Sequence, residues 1–112
     1  MAHITQATTP DVTLTVEDFD ARGMNVYVTI RQGSGRIVTL SGDRLTVTAA
    51  EDQGVYTTTI VFRLTQQETM VFSTGTAYVQ ARFIDAQGTA LATEVQPVSI
   101  DQILLKTVLK YE

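Results

Sequence analysis

The sequence has no cysteine and no tryptophan, and His3 is its only histidine. Without cysteine there can be no disulfide framework, no thiolate metal site and no cysteine nucleophile, and the redox compartment is left open. Lysine is confined to Lys106 and Lys110, and the remaining basic residues are arginines spread along the chain, so no basic patch is visible. The formal net charge of −4 argues against a nucleic-acid partner, because affinity for a phosphate backbone comes mostly from Lys and Arg. Long apolar runs are absent too. No window approaches the roughly 20 apolar residues that span a bilayer, and Met1-Ala2-His3-Ile4-Thr5 lacks the basic stretch and apolar run of a signal peptide. Folding in a cytoplasm, with no membrane partner, is the expectation.

What is present suits a folded domain. Apolar residues make up 44% of the 112 residues and charged residues 18%, a balance richer in buriable surface than that of disordered chains. The length fits one core, so residues 1–112 are expected to form a single domain.

Alternation with a period of two recurs along the chain and predicts strands. Val12, Leu14 and Val16 share one face of a first strand. In Asn25 to Gln32, Val26, Val28 and Ile30 face inward, and Tyr27, Thr29 and Arg31 face out. Ile37 to Leu40 and Leu45 to Ala49 are joined through Ser41-Gly42-Asp43-Arg44, whose composition suits a tight turn, and are expected to pair as a hairpin. In Val55 to Leu64, Arg63 sets the parity, which sends Tyr56, Ile60, Phe62 and Leu64 to the core. Thr76 to Asp85 places Ala77, Val79, Ala81 and Phe83 inward and Tyr78, Gln80 and Arg82 outward. A returning strand is expected from Thr89 to about Gln96, with Pro97 marking an edge or bend before Val98-Ser99-Ile100.

One helix interrupts the strands. Thr65-Gln66-Gln67-Glu68 forms a capping box, in which hydroxyl and carboxylate each satisfy a free backbone N–H. It predicts a short helix over residues 66–72 that crosses between sheets and packs Met70 and Phe72 on them. Short strands, regularly spaced turns and one small helix predict an all-β fold, an immunoglobulin-like antiparallel β-sandwich, with a small barrel as the alternative. The Gln-Gly pairs at 32–33, 53–54 and 87–88 are unequally spaced and read as turn punctuation, not repeats.

Candidate chemistry is thin, and no catalytic, cofactor-binding or metal-ligating residue is assigned. Asp18-Phe19-Asp20-Ala21-Arg22-Gly23 imitates the start of a calcium loop, but Arg22 stands where an oxygen donor belongs and Thr29 where the bidentate glutamate belongs. Glu51-Asp52 reads as a turn. His3 lies in a terminal stretch whose expected mobility would defeat general base catalysis. Gly33-Ser34-Gly35-Arg36 lacks both the lysine and the glycine spacing of a phosphate loop.

Two surfaces carry information. If the strands holding Tyr27 and Tyr78 are neighbours, Tyr27, Arg31, Tyr78 and Arg82 share one outward face, and tyrosine and arginine are enriched in interface hot spots. Ordinary cross-strand packing is the plainer reading of that face. The second is the apolar segment Ile103, Leu104, Leu105, Val108 and Leu109. Either it folds back to cover an edge of its own sandwich, or it adds to an edge of a neighbouring subunit.

Three stretches resemble a family of small proteins from the tail regions of siphophages and prophages of Gram-positive gut bacteria. Ile4-Thr5-Gln6-Ala7-Thr8-Thr9-Pro10 is similar to an opening of the form I-T-R-G-T-T-P, departing at Gln6 and Ala7. Val26-Tyr27-Val28-Thr29-Ile30-Arg31-Gln32-Gly33 is similar to V-Y-V-T-F-x-Q-G. Leu64-Thr65-Gln66-Gln67-Glu68-Thr69 is similar to L-T-Q-E-E-T; Tyr78 to Arg82 resembles a following V-x-V-Q-x-R strand, and Ile100 to Leu109 an ending V-E-D-I-L-K-D-G-V-I that Leu105, Lys106 and Thr107 break. The chain also resembles the immunoglobulin-like N-terminal domain of phage upper baseplate proteins. The resemblance implies a non-enzymatic virion or tail-associated protein, assembled in the host cytoplasm, with other phage structural proteins or itself as partner. The alternative is a free-standing ligand- or carbohydrate-binding module using the Tyr27 and Tyr78 face. An enzyme is disfavoured for want of a nucleophile and base pair.

Overall fold

The computed structural model describes residues 2–105 and 107–111. Among these residues nine strands form two sheets: β1 (Ala2–Thr5), β2 (Asp11–Glu17), β3 (Asn25–Gln32), β4 (Arg36–Ser41), β5 (Leu45–Asp52), β6 (Val55–Arg63), β7 (Gly75–Ile84), β8 (Ala90–Ala92) and β9 (Gln96–Asp101). The larger sheet runs β1-β9-β7-β3-β4, with β8 also on β7, and the smaller runs β2-β6-β5. The chain is therefore an all-β sandwich of immunoglobulin-like order. Every pair is antiparallel except β1 with β9, which run parallel.

Alternation explains the core. Val26, Val28 and Ile30 of β3 and Ala77, Val79, Ala81 and Phe83 of β7 are buried, facing Ile60, Phe62 and Leu14 of the smaller sheet. The residues between them on β3 and β7 remain exposed or half-buried, as the period of two requires. Thr58 shares the inward parity of β6 and is fully buried. Its hydroxyl donates to the Phe19 carbonyl (2.8 Å) and accepts from the Ala21 N–H (3.1 Å), which pins the β2–β3 loop to the smaller sheet.

Four expectations need correction. The strands at Ile37 and Leu45 do not form a hairpin: β4 pairs with β3 and β5 with β6. The Gly42–Arg44 segment is a single 3₁₀ turn that carries the chain between sheets. A turn-prone sequence reverses the chain without fixing which sheet receives it. The true hairpin is β5–β6, closed by Gln53 (φ 53°) and Gly54 (φ 82°). Two positive φ values are the signature of a type I′ turn, whose twist matches that of the strands. Residues 2–5, expected to be mobile, instead form β1, held along β9 from Ala2↔Val98 to Thr5↔Asp101.

The returning strand is also split. Residues 93–95 interrupt it, and Thr93 replaces the ladder there: its hydroxyl accepts the Ala81 N–H (3.1 Å) while its own N–H donates to the Ala81 carbonyl (2.9 Å). The extra residue opposite Gln80 and Ala81 is a bulge.

The helix, α1 (Gln66–Thr69), is shorter than the expected 66–72 but crosses between β6 and β7 as anticipated. Thr65 accepts the Glu68 N–H (3.1 Å), and Glu68 accepts the Thr65 N–H (2.8 Å). Phe72, just beyond α1, is fully buried. Arg44 bridges to Glu68 (2.6 Å), tying the 3₁₀ turn to the helix start. Burial pushes the Glu68 carboxyl up, but hydrogen bonds from Arg44 and the Thr65 N–H outweigh it and hold the group below its ordinary 4.5. A carboxylate with a depressed folded-state pKa contributes stability that is present above its unfolded value and lost as pH falls through the folded one. Glu68→Gln, which can still cap, is expected to lower stability by less than about 1 kcal/mol at pH 7. The difference should narrow as pH falls below the ordinary 4.5 of this carboxyl, as read from urea midpoints at pH 7 and in acid; an equal loss in both would remove the ion pair as its cause.

Among the described residues no helix is long and apolar enough to cross a membrane.

Candidate interaction surface

Beta pairing brings the predicted sheet-face residues together. β3 and β7 are direct neighbours, and their register sets Tyr27 opposite Arg82 and Arg31 opposite Tyr78, with Thr29 opposite Gln80 between them. All four predicted residues are solvent-facing on one sheet; Tyr27 is 41% and Tyr78 50% exposed.

Adjacent strands widen this face. β4 sets Ile37 beside Arg31, Thr39 beside Thr29 and Ser41 beside Tyr27. On the other flank Pro97 lies opposite Tyr78 and Ala92 opposite Arg82. One row therefore reads Ile37–Arg31–Tyr78–Pro97 across four strands, and Ile37 is 50% exposed. Sequence reasoning missed Ile37 because it assigned β4 to β5; its apolar, outward position becomes informative only once β4 lies beside β3. The middle row is hydrogen-bonded, Thr29 to Thr39 at 3.3 Å and the Gln80 amide to the Thr93 carbonyl at 2.8 Å. Beside Tyr78 lies a hollow of about 160 Å³ lined by Thr29, Arg31, Gln80 and Val95. The surface thus combines aromatic, guanidinium and aliphatic groups on a rigid strand platform, the composition that favours protein contacts.

The apolar segment after Asp101 behaves differently. Residues 103–105 and 107–111 belong to no strand, and Lys106 lies outside the described residues. Gln66 of α1 clamps the backbone of Leu109: its amide donates to the Leu109 carbonyl (3.0 Å) and accepts the Leu109 N–H (2.7 Å). Ile103 and Val108 are half-buried, whereas Leu104, Leu105 and Leu109 are exposed. Its described residues add no strand to either sheet. A hydrogen bond contributes about 1 kcal/mol net, whereas burying one leucine side chain contributes about 1.5–3 kcal/mol, so the clamp is a weak rival to any site that takes the leucines.

Candidate chemistry elsewhere resolves into structure. Asp20 faces Arg22 (2.7 Å), whose guanidinium lies 4.6 Å over the Tyr56 ring. The hydrogen bond from Arg22 holds the Asp20 carboxyl below its ordinary value, and Asp20 in turn pushes the guanidinium up. The Asp20 carboxylate of the calcium-like stretch is thus satisfied by its own loop. His3, Asp101 and Ser99 meet at the β1–β9 seam, but in an order unlike a catalytic triad. The serine hydroxyl donates to Asp101 (3.2 Å), and the imidazole also contacts Asp101 (3.1 Å). A nucleophilic serine needs the imidazole on its hydroxyl. Among the described residues no cluster of three or more His, Cys, Asp or Glu is placed to hold a metal ion.

No known family model matches the chain, and a search of curated proteins gives no match.

Proposed function

We propose that this protein is a non-enzymatic structural or tail-associated component of a bacteriophage or prophage particle, baseplate-like in role, assembled in the host cytoplasm and acting through protein–protein contacts. The observation that carries this reading is the paired Tyr27–Arg82 and Arg31–Tyr78 array on the exposed face of the larger sheet. Strands on both flanks hold the backbone of that array in register, so little backbone freedom is left to be lost on docking. The family resemblance supplies the setting. One backbone detail supports it: Ala7 adopts φ 60°, a left-handed conformation that favours glycine, and glycine stands at this position in the resembled I-T-R-G-T-T-P opening.

The test is light scattering of the protein alone and with purified phage tail proteins, together with a search for the protein in purified particles. A mass increase with tail proteins is expected, and Tyr27→Ser with Tyr78→Ser should weaken capture by about tenfold or more, the scale of hot-spot truncation. Both tyrosines are solvent-facing, so the fold should survive. Absence from particles together with a strictly unchanged mass would overturn the reading.

A carbohydrate-binding module is the second reading, favoured by the hollow beside Tyr78 with its Thr29, Arg31 and Gln80 side chains. A glycan array without hits would remove it.

A further inference from the structure

The smaller sheet has an edge that the fold leaves open. β2 pairs only with β6 among the described strands, so alternate backbone groups along Asp11–Glu17 face outward without a strand partner. β1, which precedes it, has joined β9 in the opposite sheet. A groove therefore runs between β2 and the β9 side of the larger sheet. It consists of two adjoining hollows of about 350 and 410 Å³, which share Leu14, Val79 and Gln96 as walls. Its floor is apolar: Val12 and Val16 are only half-buried, and Pro97 and Val98 face them from the other sheet. Glu17 and Glu94 stand at one end.

The segment after Asp101 has the complementary pattern. Read as a strand, Ile103, Leu105, Thr107 and Leu109 share one face, and Leu104, Lys106, Val108 and Lys110 the other. One face is thus apolar apart from a threonine, and the other carries every lysine of the sequence, opposite in sign to the groove's Glu17 and Glu94. Its leucines lie in water, and Gln66 draws the segment across α1 instead of into its own groove.

From this complementarity we propose that the groove along β2 is a strand-acceptor site, and that its occupant is the Ile103–Leu109 segment of a second copy of this chain. The incoming segment pairs with the open edge of β2 and sets its apolar face between the sheets, a mode of β-strand addition. Reciprocal exchange closes a two-fold dimer; one-way exchange builds a chain of subunits. This inference rests on the protein–protein reading above and names the partner.

The absence of cysteine makes the test clean. Thr15 lies on the outward face of β2 and is exposed, and Leu104 and Val108 lie on the lysine-bearing face of the segment. Full-length Thr15→Cys protein, mixed with full-length Val108→Cys or Leu104→Cys protein and oxidised, should give a disulfide-linked species of twice the 12.3 kDa chain mass. No linked species with either partner overturns the proposal. So does a Thr15→Cys/Val108→Cys double variant that links within single chains, because the segment then fills its own groove. Leu105→Asp with Leu109→Asp should raise the self-dissociation constant by about tenfold or more, since charged side chains cannot enter an apolar groove unpaired. Both leucines are more than 70% exposed, so the fold is not at stake, and unchanged association overturns the proposal. A protein found in particles but monomeric and unlinked defeats the exchange while leaving the structural role standing; linked dimers absent from particles do the reverse.

Discussion

Phe72→Ala is expected to destabilise the fold by about 3–5 kcal/mol, the range for emptying a buried aromatic site. Total stability of a small domain is about 5–15 kcal/mol, so this one change removes a large share. Phe72 is fully buried, and its carbonyl accepts a 2.7 Å hydrogen bond from the buried Gln6 amide. The ring thus anchors the α1 crossover to the core at the same point where the β1–β2 link is fastened. α1 has only four residues, too few to be helical without tertiary contacts, so loss of the ring should melt the crossover along with the packing. Phe72→Leu refills most of the volume and should recover more than half of the loss. Urea unfolding followed by far-UV circular dichroism reads both variants. A loss under about 1 kcal/mol for the alanine variant would mean that the neighbourhood collapses onto the gap and that the anchor is unimportant.

The same region shows what the sequence could and could not convey. The inward faces of β2, β3, β6 and β7 were legible because each alternates over five residues or more, and alternation is a local property. The α1 capping box was legible for the same reason. Partner choice is not local. β4 and β5 flank a turn-prone stretch, and nothing in Ser41 to Arg44 tells whether the chain returns to its own sheet or crosses to the other. β1 pairs with β9 across nearly the whole chain, and its short stretch carried no period long enough to distinguish a strand from a frayed end. The glutamines were equally silent. Nothing local marks a tertiary role for Gln6, Gln32 or Gln66, yet each side chain fastens distant backbone: Gln6 to Phe72, Gln32 to Ser73 and Gln66 to Leu109. An amide both donates and accepts, so it can substitute for a peptide group, and only the fold reveals which one it faces.

The candidate surface divides along the same line. Alternation placed Tyr27, Arg31, Tyr78 and Arg82 outward, and the conditional step, adjacency of their strands, is met by β3–β7 pairing. Ile37 could not join them until the partner of β4 was known. For the C-terminal segment the apolar character was visible, but neither the Gln66 clamp nor the open β2 edge was. The open edge depends on where β1 goes, and β1 was the element the sequence concealed. An open edge on one sheet is thus the consequence of a strand given to the other.

Thr58→Val provides the second large effect and separates hydrogen bonding from packing. Valine has nearly the shape of threonine and a strong preference for strands, so a role limited to filling space predicts no loss. The structure predicts otherwise. The Thr58 hydroxyl is the partner of both the Phe19 carbonyl and the Ala21 N–H, in a site closed to water. Valine would leave both without a partner, at about 1–3 kcal/mol for each stranded group, so a total loss of about 2–6 kcal/mol is expected. Thr58→Ser keeps the hydroxyl and removes one methyl, for about 1 kcal/mol. The expected order of stability is wild type, then serine, then valine; valine above serine would show that the methyl matters more than the bonds. Guanidinium unfolding gives the order, and hydrogen exchange at the Ala21 amide locates the cause, because that N–H should lose protection in the valine variant but keep it in the serine one. The consequence reaches the candidate surface. The loop that Thr58 pins also carries Phe19, whose ring packs 4.7 Å from Phe83 of β7, and it leads directly into β3. Releasing it should loosen the entry to the strand that presents Tyr27, so partner capture should fall in the valine variant even at temperatures where it remains folded.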